Sequence, residues 1–98
     1  MKKNYVLFKE KEYFKKINGE YIYENLVNYC EPMYFENLED AKNYIDLYDL
    51  SIDKQEYCVY LEYLSLYEYD EEEDENIGDS IYDKSVDISK LDFKVDYK

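Results

Sequence analysis

The 98-residue sequence predicts an α+β fold, a mostly antiparallel β-sheet with an N-terminal hairpin and one amphipathic helix packed on it. Three observations carry that expectation. Asn18-Gly19 separates two β-prone runs, residues 13–17 and 20–24, and Asn-Gly tolerates the positive φ that a type I′ turn demands. Behind Asn37, apolar side chains recur at helical spacing, while most other apolar residues fall in alternating runs of strand length. A chain this short buries about two-thirds or less of its unfolded surface, so residues 1–98 are expected to form one domain with a modest core and no deep cleft.

In chain order, residues 4–9 read as a short β run and residues 10–12 as a charged link. The hairpin follows. Its turn places Ile17 opposite Glu20, Lys16 opposite Tyr21, Lys15 opposite Ile22 and Phe14 opposite Tyr23. Phe14, Tyr21 and Tyr23 then share one face and Tyr13, Ile17 and Ile22 the other. Pattern alone leaves the buried face undecided.

Residues 25–32 form a connector, and Pro32 argues against a central strand there. Asn37 caps a helix over residues 38–49, with Asp40 in the capping-box position. Leu38, Ala41, Ile45 and Tyr48 make its apolar stripe, flanked by Tyr44 and Leu47. Asp46 and Asp49 sit at the negative end of the helix dipole, where a carboxylate costs about a few tenths of a kcal/mol.

Residues 57–69 are dominated by Tyr, Val, Leu and Cys, and Val59, Leu61, Tyr63, Tyr67 and Tyr69 alternate onto one face of a strand. Helical spacing of Tyr57, Leu61 and Leu64 also fits a helix over 54–69; the composition favours the strand. Beyond the acidic residues 70–75, Asn76-Ile77-Gly78-Asp79 supplies turn chemistry, and residues 80–85 return as the partner strand. Leu91, Phe93, Val95 and Tyr97 alternate with charged residues as a final strand.

Composition excludes several kinds of chemistry. The chain has fifteen Tyr, no Trp, no His and no Arg, so all twelve cations are lysines. Without His, nucleophilic catalysis would need a Lys or carboxylate arrangement that no spacing here suggests, and the reading is of a non-enzyme without cofactor. Cys30 and Cys58 lack metal-ligand spacing and read as reduced thiols. The opening MKKNYVLFKEKE has an apolar run of only four residues, unlike a secretory leader, and no stretch approaches the roughly eighteen apolar residues of a membrane span. The expected location is the cytoplasm. Asp70, Glu72 and Asp74 match the first ligands of a calcium loop. Glu75, however, stands where such a loop needs Gly, and Ile81 where it needs a bidentate acid, so no closed metal site is expected.

Charge is the most distinctive feature. The net charge is -13, which argues against nucleic acid or anionic lipid as a direct ligand. Residues 1–30 hold six Lys and four carboxylates; residues 31–98 hold six Lys and twenty-one. The expected contact surface comprises Glu62, Tyr67, Glu68, Tyr69, Asp70, Glu71, Glu72, Glu73, Asp74, Glu75, Asp79, Tyr82 and Asp83, with Asp40, Asp46 and Asp49 on the helix as a secondary patch. Tyr within an acidic run adds contact area at low entropic cost. Glu10, Glu12, Glu20 and Glu24 lie in the Lys-balanced segment and are expected to matter much less.

Same-face residues of a strand are spaced by about 6.8 Å, close to two phosphate rises of one DNA strand at about 3.4 Å each. In size, acidity and lack of catalytic residues the chain resembles the small DNA-mimic inhibitors carried by phages and mobile elements, including anti-CRISPR proteins. That resemblance is compositional and rests on no motif. It implies a stoichiometric inhibitor of a nucleic-acid-processing defence enzyme, with a Lys/Arg-lined cleft as partner. An immunity protein or antitoxin against a basic toxin fits the same charge, as does an adaptor domain whose acidity is incidental.

Overall fold

The computed structural model describes residues 2–98. Its elements follow the order β1 (Tyr5–Ile17), β2 (Glu20–Asn28), β3 (Met33–Phe35), α1 (Leu38–Leu47), β4 (Ile52–Lys54), β5 (Cys58–Asp70), β6 (Glu75–Ser85) and β7 (Val95–Asp96). The fold is α+β: one seven-stranded sheet, antiparallel except where β7 runs parallel to β2, and one α-helix.

The spine is β1 against β5, paired from Tyr5 opposite Glu68 to Lys15 opposite Cys58. Thirteen residues at about 3.4 Å each reach about 44 Å, which accounts for the 48 Å long axis of the molecule. Each spine strand has its outer edge shared by two shorter strands. On β1 these are β2 and β3; on β5 they are β4 and β6. At the far end Asn18 and Gly19 take φ of 53° and 83° and reverse the chain, setting Ile17 opposite Glu20 and Phe14 opposite Tyr23. Between Tyr13 and Phe14 the register shifts by one residue, leaving Glu24 as the extra residue of a bulge.

Because residues paired across strands share a face, the ladders sort the side chains into two sets. Phe14, Tyr21, Val59 and Leu61 are buried on one face beneath Val86, Leu91, Phe93 and Val95. The segment bearing those four residues crosses the sheet as a strap, so we term this the strap face. Leu7, Leu64 and Leu66 are buried on the opposite face against Ala41 and Ile45 of α1, the helix face. The two half-cores are offset along the spine. The helix covers the half near Asp70 and the strap covers the half near Asn18-Gly19.

Several boundaries differ from those the sequence suggests. Residues 10–12 are no link but the middle of β1, because alternating Lys and Glu suit a strand that is half-buried on both faces. β2 extends to Asn28. The helix stops at Leu47, where the Lys84 ammonium donates to the carbonyls of Ile45, Asp46 and Tyr48 at 3.1, 3.2 and 2.6 Å. This cation from β6 offsets the carboxylates at the helix's negative end. The reversal between β5 and β6 occurs within residues 71–74, and Asn76 to Asp79 already belong to β6. Of the expected last strand only Val95–Asp96 pairs, since Leu91 and Phe93 pack down onto the strap face. β5 buries residues on both faces, Val59 and Leu61 on one and Leu64 and Leu66 on the other, so the buried side switches midway while the alternation itself is unbroken.

Candidate functional site: an acidic hairpin beside an open tyrosine face

The acidic run forms the tip of the β5–β6 hairpin, and its own aspartates build the turn. Asp70 Oδ1 accepts from the backbone N–H groups of Glu72 and Glu73 at 3.0 and 3.3 Å, an Asx-type turn. Asp74 takes a left-handed φ of 52° and accepts a hydrogen bond from the Tyr69 hydroxyl. Two of the six consecutive acids therefore hold the loop, and Glu71, Glu72, Glu73 and Glu75 are exposed. Strand geometry supplies only Glu68 and Asp70 as same-face neighbours; the remaining acids follow a turn, so the tip presents a knot of charge and no straight row at phosphate spacing. The amino-terminal chain approaches this knot. Lys2 and Lys3 line a shallow hollow of about 250 Å³ with Tyr69, Asp70, Glu71 and Glu72.

The other expected contact residues separate. Glu62 is 3% exposed. It lies on the helix face, accepting from the hydroxyls of Tyr29 and Tyr48 and, at 2.9 Å, from Ser51 N–H. Lys11 lies over the Tyr29 ring at 4.7 Å and Lys9 over Tyr48 at 4.8 Å, so each of the two tyrosines that donate to Glu62 also carries a lysine on its ring. Glu62 is a structural anchor and leaves the expected surface. Tyr82 also turns to the helix face, donating to Asp46, while Asp40 is engaged with Asn37 at the helix N-cap. Within the secondary patch only Asp49 is exposed without such a role. Tyr67, Tyr69, Asp79 and Asp83 remain exposed or half-buried on or beside the strap face.

Sequence reasoning missed the residues that join them. On the half of the strap face that the strap leaves open, β1 presents Phe8, Glu10 and Glu12, β3 presents Tyr34, and β5 presents Tyr63, Tyr67 and Tyr69. Rings pack edge to face at 5.7 Å for Phe8 and Tyr67 and lie tilted at 5.0 Å for Tyr34 and Tyr69. Partial burial holds the carboxyls of Glu10 and Glu12 above the ordinary carboxylate value, a Tyr97 hydrogen bond partly opposing this at Glu12. Burial, reinforced by Asp83, Tyr67 and Glu12, pushes the Tyr63 hydroxyl up to about 12. Three carboxylates and several tyrosines thus share a half-dry surface. Among the described residues, one salt bridge forms, Lys54 with Asp92 at 3.7 Å, so Glu10, Glu12 and Asp83 have no ion-pair partner. The signal available in the sequence was the period-two run Lys9-Glu10-Lys11-Glu12, which a strand divides into a lysine face and a glutamate face.

Comparison with protein-family models, with curated proteins and with solved structures returns no match. No helix among the described residues is long and apolar enough to cross a membrane, and no group of three metal-ligating side chains occurs among them.

Proposed function

We propose that this protein is a stoichiometric inhibitor of a nucleic-acid-processing defence enzyme, a CRISPR effector nuclease in the first instance, acting from the cytoplasm of a bacterial host. The observation that carries the reading is an excess of negative charge, with no salt bridge to the tip acids among the described residues, on a preordered support. Glu71, Glu72, Glu73 and Glu75 stand exposed on a turn fixed by Asp70 and Asp74, so a basic cleft meets them with little ordering to be done on binding. A Lys/Arg-lined cleft that holds a nucleic-acid backbone accepts such a knot in place of phosphates, and steering makes the encounter fast. The chain itself should not bind double-stranded DNA.

The test adds the purified protein to a panel of CRISPR effector nucleases and follows DNA cleavage against salt. A variant carrying Glu71→Gln, Glu72→Gln, Glu73→Gln and Asp74→Asn should inhibit at least tenfold less at low salt, since close charge pairs at interfaces couple by about 1.5 to 7 kcal/mol. The difference should shrink at high salt, where exposed charges are screened. A gel shift of bare duplex DNA by the wild type, or equal inhibition by the two proteins at physiological salt, would rule this reading out.

A further inference from the structure

We propose that the open half of the strap face docks an arginine-bearing segment of the basic partner, with guanidinium groups seated against Tyr63 and Tyr67 and paired to Glu10, Glu12 and Asp83. This rests on the reading that the partner is basic and names where its specific contacts fall.

At the margins of this surface Tyr97 donates to Glu12 and Lys3 lies over the Tyr34 ring at 4.4 Å, but its centre around Tyr63 and Tyr67 is left uncovered. The strap covers Phe14, Val59 and Leu61, and the helix lies on the opposite side, so no element packs over residues 6–10 and 63–69 on this face. Beneath it Val6 and Ser65 are buried by their larger neighbours, giving a firm floor. β6 borders it with Asp83, exposed and paired opposite Ser65, whereas the adjacent Tyr82 and Lys84 turn to the helix face. Lys84, the one cation of β6, is thereby withdrawn to cap the helix. Lys9 and Lys11 are withdrawn by the pleat to the same side.

Charge complementarity selects the occupant. Partly desolvated carboxylates without ion-pair partners, set among tyrosine rings, suit a planar cation that stacks on a ring and meets a carboxylate through two N–H groups. Arginine has that shape and sheds water more readily than lysine. A second copy of this chain cannot supply it, since the sequence contains no arginine and each copy carries -13.

The probe is a short peptide of alternating arginine and serine, compared with its lysine counterpart, titrated calorimetrically against the full chain at low ionic strength. Arginine should bind several-fold more tightly than lysine, with amide shifts along β1 and the middle of β5. The double variant Glu10→Gln, Glu12→Gln should weaken arginine-peptide binding by about tenfold or more, and it preserves side-chain shape. Equal affinity for arginine and lysine peptides, or a double variant that binds as wild type while the loop variant loses affinity, overturns the open-face site and leaves the acidic-tip reading standing. Failure of both peptides to bind overturns both.

Discussion

The acidic hairpin tip and the open tyrosine face carry the same functional group in opposite settings. At the tip, carboxylates are many, consecutive and bathed in water. On the face they are few, drawn from β1 and β6, and half-dry. In water at ordinary ionic strength an exposed pair contributes about 0 to 1 kcal/mol, so the tip works by number and range. The face works by proximity: less water surrounds each carboxylate, an incoming cation is screened less, and geometry selects which cation fits. Glu62 extends the series to full burial, where the carboxylate binds inward to Tyr29, Tyr48 and Ser51 and contributes to the fold alone.

The largest effect should come from breaking the buried end of that series. Glu62→Ala leaves two tyrosine hydroxyls and one backbone N–H without their acceptor and should cost about 3 kcal/mol or more of stability. A denaturant melt measures this. A loss no larger than that of the loop variant would mean burial does not grade these carboxylates as described.

A smaller effect of opposite sign is expected on the open face. Glu10 and Glu12 have folded pKa values raised above their unfolded ones, chiefly by burial. Their favourable contribution is therefore fully present below the ordinary carboxylate range and is lost as pH rises through the folded values. The Glu10→Gln, Glu12→Gln protein should consequently be more stable than wild type at neutral pH, by about a few tenths of a kcal/mol for groups this exposed. The gap should close in acid. Thermal melts across pH would show it, and a variant less stable than wild type at neutral pH would contradict the assignment.

The finest test is spectroscopic. The hydroxyls of Tyr63 and Tyr97 are held near 12 instead of their ordinary 10.0, by burial first and by neighbouring carboxylates, Asp83 for Tyr63 and Glu12 for both. Ultraviolet titration should resolve tyrosines that ionise late, and stability should fall as pH rises through the interval between those values. In the Glu10→Gln, Glu12→Gln protein Tyr63 and Tyr97 should ionise earlier through loss of the Glu12 charge, whereas Tyr69 and Tyr82, raised by hydrogen bonds to Asp74 and Asp46, should stay late. A uniform titration of all tyrosines would remove the half-dry face from the comparison.

Much of this was legible locally. An Asn-Gly turn needs only its own two residues and their neighbours, and Asn37 with Asp40 encodes a cap within four positions, so the antiparallel sheet and the single helix follow from short windows of sequence. The acidic tip is equally visible as a run, although the reversal lies within residues 71–74, ahead of the Asn76–Asp79 turn chemistry. Aspartates as well as glycines can bend a chain, and Asp70 does so with its side chain. Tertiary structure alone decided how the charges divide. Period-two alternation says that Lys9 and Lys11 part from Glu10 and Glu12; it does not say which set meets the helix, because that depends on where distant segments cross the sheet. Glu62 makes the same point most sharply. Its donors come from the β2–β3 connection, the end of α1 and the approach to β4, 33, 14 and 11 residues away, beyond any local pattern around Glu62, so a glutamate indistinguishable in composition from its neighbours became an anchor only when the chain had closed around it.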